Sequence, residues 1–276
     1  MGASQTEKAK QFRALHAGPG AFIIPNPYDA GTARMLAALG FQALATTSAG
    51  YAFSLGRRDG AVGRDEMLAH CRAIVGASEL PVSADLENCF GDRPEVVAET
   101  VRLAAATGLV GCSVEDASGD PARPIYDQAL AVERVAAAVA AARALPFPFT
   151  LTARAENFLH GRPDLADTIR RLEAFAAAGA DVLYAPALPS KDAIKAVCAA
   201  VAPKPVNVLT AGVVAAMSLD ELAALGARRI SVGGALARAA FGAFLRAARE
   251  MKERGTFAFL AEAATSAEIT GFMAAK

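Results

Sequence analysis

Eight short apolar segments, separated by alanine-rich stretches of helical period, constrain this chain more than any other feature. They are AFIIP (21–25), ALATTS (43–48), PVSADLE (81–87), GCSVED (111–116), TLTARAE (150–156), VLYAPA (182–187), KPVNVLT (204–210) and RRISVGG (228–234). Each is brief, rich in Val, Ile, Leu or Thr, and mostly apolar on both faces, the pattern of a strand buried on two sides. Among the intervening stretches, RPEVVAETVRLAAATG and DLADTIRRLEAFAAAGAD have the clearest helical spacing, each with a Gly near its end. Strand starts recur every twenty to forty residues or so, the rhythm of successive βαβ units.

Eight such units in roughly 250 residues predict an α/β fold, a (β/α)8 TIM-type barrel. A doubly wound sheet is the alternative, but its first strand usually runs into a glycine-rich fingerprint, and here it runs into NPYDAG. The expectation is a single barrel domain over 1–276, with an N-terminal helix within 1–18 and a helical tail over 255–276. That tail, FAFLAEAATSAEITGFMAAK from residue 257, is apolar enough to need a partner surface, on its own barrel or on a neighbouring subunit.

Charge and cysteine usage narrow the function classes. With 28 basic and 28 acidic side chains the formal net charge is zero, so no basic excess is available for a nucleic-acid backbone. No basic tract points to a membrane surface, no apolar run reaches spanning length, and the polar N-terminus lacks the apolar core of a signal peptide. Four cysteines (Cys71, Cys89, Cys112, Cys198) show no C-x-x-C spacing, which suits reduced thiols rather than zinc or disulfides. A soluble cytoplasmic protein is expected.

Barrel enzymes place their chemistry at the carboxyl ends of the strands. Those ends carry Ser48, then Asp85 and Glu87, then Glu115 and Asp116, then Arg154 and Glu156, and finally Asn207. Asp85 and Glu87 are two residues apart, so on a strand they share a face and repel each other unless a positive charge sits between them. Carboxylates converging without His or Cys suit a hard, oxygen-seeking cation such as Mg²⁺. The competing reading pairs these carboxylates with Arg154, Arg57, Arg58 or helix N-termini. Glycines in TAG (210–212) and SVGGALARA (231–239) offer a second possibility, a phosphate cradle after strands 7 and 8. Cys89 reads as a small apolar filler, Tyr126 as loop packing with a proton-donor role as the alternative, and His160 as a solvent-side loop residue.

Taken in order, IPNPYDAGTARMLAALGFQALATTSAG, SLGRRDG, SADLENCFGD, GCSVEDAS, TARAENF, AGADVLYAPAL and VNVL resemble the isocitrate lyase / phosphoenolpyruvate mutase superfamily over about residues 10 to 255. The resemblance implies a (β/α)8 barrel whose last helix is exchanged between subunits of a homodimer or homotetramer. It also implies Mg²⁺, with Mn²⁺ as the alternative cation, and a 2-oxo or 2-hydroxy carboxylate whose C–C bond breaks through a metal-stabilised enolate. By motif position Asp85 resembles the direct metal ligand, and Asp59, Glu87 and Glu115 resemble holders of metal-bound water. Ser48, Ala49 and Gly50 resemble a carboxylate cradle, Arg154 the arginine that bridges substrate, and Asn207 a distal substrate contact. Arg154, Glu115 and Asp59 are thus the expected catalytic set.

The loop after strand 4, ASGDPARPIYDQ, departs from the family's better-known patterns. It has neither the K-[KR]-C-G-H motif of the lyases nor the Lys, Asn and Ser of the phosphonomutases. Oxaloacetate decarboxylase-like chemistry asks least of that loop, and isocitrate- or 2-methylisocitrate-type cleavage is the longer-substrate version. Hydrolysis or mutation of a phosphonopyruvate-like P–C bond, and 2-oxo-acid binding without turnover, are the competing functions.

Overall fold

The computed structural model describes residues 2–274. Its eight strands are β1 (Phe22–Ile24), β2 (Leu44–Ala45), β3 (Val82–Ala84), β4 (Gly111–Glu115), β5 (Thr150–Arg154), β6 (Val182–Tyr184), β7 (Val206–Leu209) and β8 (Arg229–Ser231). Every one lies inside a segment read from the sequence. They form one parallel sheet in the order β1-β8-β7-β6-β5-β4-β3-β2. The seam between β1 and β2 has no ladder; there Ala45 N–H donates to the Pro25 carbonyl at 3.1 Å. Asn26 reinforces that seam, its amide donating to Thr46 O at 2.9 Å while its oxygen accepts from the Val232 and Gly233 amides, each at 2.9 Å. The sheet is a nearly closed (β/α)8 barrel.

Helices follow the strands as the alternation requires. α1 (Gln5–Ala17) precedes the barrel, begun by a Ser4–Glu7 capping box. α2 (Ala30–Ala38) follows β1, and α3 (Ser48–Ser54) and α4 (Arg64–Ala77) follow β2. Then come α5 (Pro94–Ala105), α6 (Gln128–Arg143), α7 (Leu165–Ala177), α8 (Lys191–Ala200), α9 (Leu219–Ala224) and α10 (Ala235–Arg254), one after each remaining strand. Asp29, Asp164, Ser190 and Ser218 start four of these helices by accepting from an amide three residues on. The two helices clearest in the sequence are α5 and α7. Gly108 and Gly179 follow them at φ +98 and +102, where a side chain would be strained.

The strands are shorter than their apolar runs, and this corrects one inference. β3 stops at Ala84, and Glu87, Cys89 and Phe90 adopt left-handed φ of +51, +60 and +62. Asp85 and Glu87 therefore do not lie on one strand face. The chain turns between them, with the Glu87 amide directed back to Asp85 Oδ1 at 3.4 Å.

The tail folds back on its own chain in part. α11 (Ser266–Ala274) packs on α2, and Arg34 donates to the Met273 carbonyl at 2.7 Å. The turn before it is built round Glu250, which accepts from Thr256 Oγ1 and the Ala258 and Phe259 amides. Along α10 and this turn, Phe244, Phe257 and Leu260 are 67%, 61% and 63% exposed. Residues 1, 275 and 276 of the expected terminal segments lie outside the described residues.

Candidate active site

Arg154, the last residue of β5, organises the carboxyl end of the barrel. Its Nη1 meets Asp85 Oδ1 at 2.9 Å, Nη2 meets Glu115 Oε2 at 3.2 Å, and Nε meets Glu156 Oε1 at 2.8 Å. Parallel pairing puts Glu115 and Arg154 at the same level of β4 and β5, so their side chains meet across the ladder. The guanidinium also lies over the Tyr184 ring, 4.9 Å from its centroid. Burial works against the Arg154 charge, but Glu156, Glu115 and Asp85 outweigh it and hold the group well above its ordinary value.

Asp85 is held from three further sides. Its amide donates to Thr46 Oγ1 at 2.9 Å, and its carboxylate accepts from the Ser48 hydroxyl at 3.1 Å and the Ser48 amide at 3.3 Å. Ser113 reaches the other oxygen at 3.4 Å. Ser48 begins α3, where Thr47 caps the Gly50 amide at 3.2 Å. Within the expected cradle, Ser48 and the Gly50 amide thus already have acceptors in the protein.

The remaining carboxylates have no cation of their own. Glu87 Oε1 is buried without a hydrogen-bond partner. Burial, then the charges of Asp85 and Asp59, push its carboxyl up to about 7. Burial also raises Asp59, with the Ser48 hydroxyl opposing, and raises Glu115 strongly against the pull of Arg154. Three carboxylates (Asp85, Glu115, Glu156) thus contact one guanidinium, and two more (Asp59, Glu87) feel its charge without pairing with it. Among the described residues no three of them are already drawn to metal-ligand spacing.

Asp59, Glu87, Glu115 and Arg154 share a cleft of about 920 Å³. A small chamber of about 50 Å³ beneath it is lined by Asp85, Arg154, Tyr184, Asn207 and Arg229. Asn207 is only 1% exposed; its oxygen accepts from Arg229 Nε at 2.7 Å and its amide donates to Ser231 at 2.9 Å. It forms the floor of the site rather than the wall of the open cleft. A separate cavity of about 250 Å³ at the opposite end holds Arg143 and Lys204. There Arg143 is already paired with Asp181 at 2.6 Å, and Lys204 donates to the Ala180 carbonyl at 2.7 Å.

Two loops wall the cleft, and a buried arginine from α6 joins them. Arg134 donates to the carbonyls of Asn88, Gly91 and Asp92, and so holds the left-handed run that carries Glu87. It also stacks on Tyr126, at the end of the loop after β4. The Tyr126 hydroxyl donates to Asp92 at 2.6 Å, which commits its proton to packing. Behind β4, Asp116 accepts from the Glu156 amide at 2.8 Å and pairs with Arg171 at 3.0 Å, fixing the start of the loop after β5.

Several participants were not singled out from the sequence. Glu156 was noted at a strand end but not placed in the site, and Ser113, Tyr184 and Arg134 carried no signal. His160 is exposed, as expected of a solvent-side residue, and also lines the cleft. Of the amides in the phosphate-cradle alternative, those of Val232 and Gly233 after β8 are spent on Asn26.

Barrel and cleft together define a class, the (β/α)8 enzymes with polar chemistry at the carboxyl ends of their strands. Within it, residues 12–252 match the family model described as phosphoenolpyruvate phosphomutase, and the chain belongs to the isocitrate lyase/phosphoenolpyruvate mutase superfamily. The chain is similar to a candidate lyase/mutase of Burkholderia cenocepacia J2315, at 63% identity and a TM-score of 0.95, covering 98% of this chain and 97% of that one. It is similar to oxaloacetate acetylhydrolase solved with its product oxalate, at 26% identity and a TM-score of 0.86, covering 98% and 94% of the two chains. It is 28% identical to 2-methylisocitrate lyase of Bacillus subtilis (strain 168) over 199 residues, 68% of this chain and 63% of that protein. No helix among the described residues is long and apolar enough to cross a membrane.

Proposed function

We propose that the protein is a Mg²⁺-dependent lyase that breaks a C–C bond beside the carbonyl of a small 2-oxo or 2-hydroxy carboxylate. The observation that carries this reading is the charge imbalance around Arg154: Asp85, Glu115 and Glu156 share its one guanidinium, while Asp59 and Glu87 have no ion pair among the described residues and the buried Glu87 Oε1 has no partner. A buried carboxylate oxygen left without a donor is costly, and a divalent cation satisfies it. Asp85, Glu87, Asp59 and Glu115 are the residues that would hold Mg²⁺, or Mn²⁺ in its place. When bound, the ion supplies Lewis-acid stabilisation of the negative charge that develops on the substrate's carbonyl oxygen.

The chain's own residues do the rest. Arg154 presents a planar fork to a carboxylate or oxo oxygen and fixes its orientation. Tyr184 and Glu156 hold that fork in place, so the donor is aimed before substrate arrives. The Ser48–Gly50 turn offers the Ala49 amide as a further donor, the Ser48 hydroxyl being bonded to Asp85. Neither hydroxyl of the loop after β4 is free to act as an acid: Ser118 donates to the Arg123 carbonyl, and Tyr126 is bonded to Asp92 and pushed up to about 12 by burial and that bond. This favours a reaction that asks little of the loop, such as cleavage of an oxaloacetate-like acid. The four cysteines are unpaired thiols, which supports a cytoplasmic setting. The exposed apolar side chains of α10 support a homo-oligomer.

Calorimetry with oxalate, an enolate mimic, tests the reading. Oxalate should bind in a Mg²⁺-dependent manner and Asp85→Ala should abolish that binding; unchanged binding in the variant would remove the metal assignment. Proton and phosphorus NMR against oxaloacetate, isocitrate, 2-methylisocitrate and phosphonopyruvate then names the bond. Phosphate release from phosphonopyruvate alone would replace C–C with P–C cleavage, and oxalate binding without any turnover would favour a binding protein.

A further inference from the structure

Bond cleavage beside a ketone leaves an enolate carbon that must receive a proton, and in the loop after β4 Tyr126 donates to Asp92, Ser118 to the Arg123 carbonyl, and Asp120 pairs with Arg123. The other groups near the cleft are also committed. Asp59, Glu87 and Glu115 face the expected cation, and Glu156 is 2% exposed and bonded to Arg154. Arg64 on the rim is paired with Glu99 at 2.8 Å. Cys89 is fully buried, with a thiol pushed up to about 12 by burial.

His160 is the exception. The loop after β5 holds it by backbone alone: its N–H donates to Glu156 O at 3.2 Å and Asn157 O at 3.3 Å, and Arg162 N–H closes on Asn157 O at 2.9 Å. Gly161, at φ +68, makes the reversal. Asn157 anchors the turn to α7 through Asp167, at 2.8 Å, and Asp167 is in turn paired with Arg171. The imidazole on this fixed turn lines the same cleft as Asp59, Glu87, Glu115 and Arg154, and it has no hydrogen-bond partner among the described residues. It is the only imidazole there, open to both solvent and cleft.

We propose that His160 is the proton donor to the substrate carbon. This rests on the lyase reading above. In the step, the electron pair of the enolate C=C takes the proton of the imidazolium N–H, so a C–H bond forms as the N–H bond breaks. The enolate oxygen returns to a carbonyl, and the neutral imidazole regains a proton from water at the open mouth. By microscopic reversibility the neutral ring removes a methyl proton from pyruvate, the simplest 2-oxo acid with such a hydrogen.

The test is exchange of the pyruvate methyl protons in D2O with Mg²⁺, followed by proton NMR for wild type, His160→Gln and His160→Ala, with oxalate calorimetry on each. Both variants should lose at least tenfold of the protein-dependent exchange and keep oxalate affinity within about twofold. Added imidazole should restore part of the exchange in His160→Ala but not in Asp85→Ala, after subtraction of the protein-free rate. Unchanged exchange in His160→Gln would overturn the proposal, as would a parallel loss of oxalate affinity, which marks a binding or structural role. Wild type that binds oxalate without exchanging pyruvate would overturn it and leave the binding reading standing. Wild type that does not bind oxalate would remove both.

Discussion

The guanidinium of Arg134 lies over the ring of Tyr126, its central carbon 4.2 Å from the ring centroid. One buried cation thereby ties the loop after β3, through three carbonyls, to the far end of the loop after β4. The three left-handed residues of the first loop each cost about 1–2 kcal/mol of backbone strain, which that clamp offsets.

Arg134→Lys should therefore lower unfolding stability by about 3 kcal/mol, because an ammonium cannot reach three carbonyls or lie flat on Tyr126. Urea denaturation reads this. A loss under about 1 kcal/mol would mean that the loops keep their shape without the clamp.

Arg154→Lys should keep the charge among Asp85, Glu115 and Glu156 but lose the fork, and oxalate should bind at least tenfold more weakly. An affinity equal to wild type by calorimetry would move the substrate carboxylate to another donor.

His16 predicts an acid-sensitive fold. It packs edge-on against Phe12 and Phe22, and burial followed by the nearby Arg229 charge lowers it from 6.5 to about 3. Its Nδ1 faces the Phe12 carbonyl at 2.8 Å and so carries the proton, leaving Nε2 to accept from Arg229 at 3.5 Å. A folded-state value below the unfolded one means the native state resists protonation. The stability is fully present above about pH 6.5 and is lost as pH falls toward 3. Between pH 6 and 4, wild type should lose up to about 1.4 kcal/mol per pH unit more than His16→Gln. Parallel stability curves for the two proteins would show that another group sets the slope.

The exposed side chains of Phe244, Phe257 and Leu260 predict self-association through α10 and the turn after it. Light scattering on wild type should give a dimer or tetramer, and Phe244→Glu with Leu260→Glu should give a monomer of unchanged helix content. A monomeric wild type at tens of micromolar, roughly the range where an apolar patch of this kind pairs, would remove the interface.

The barrel was legible because its strands are buried on both faces and its clearest helices, α5 and α7, show helical spacing closed by Gly108 and Gly179. Strand ends were not. Leu86 continues the apolar run of β3, yet the backbone has already turned at Glu87, and a left-handed Glu, Cys or Phe carries no sequence signal of the kind that Gly or Asn gives. Asp85, Glu115 and Arg154 do converge, because strand ends converge in any barrel. Arg134, arriving from α6, needed three dimensions, whereas Tyr184 ends the neighbouring β6, in register with Arg154. His160 is exposed, as a solvent-side loop residue should be, and only the fold shows that its turn borders the cleft.

Asn26 has a further consequence. It joins β1 to β2 and to the loop after β8, where no strand ladder does so, and asparagines in proteins age by cyclising. In that reaction the backbone nitrogen of the next residue attacks the side-chain amide, turning it into a succinimide and then an acid. The next residue here is Pro27, whose ring nitrogen has no hydrogen to lose and cannot make that attack. The amide that closes the barrel is thus shielded from the usual clock of chemical decay. Asparagines elsewhere in the chain, such as Asn88 before Cys89, keep a following N–H and have no such protection.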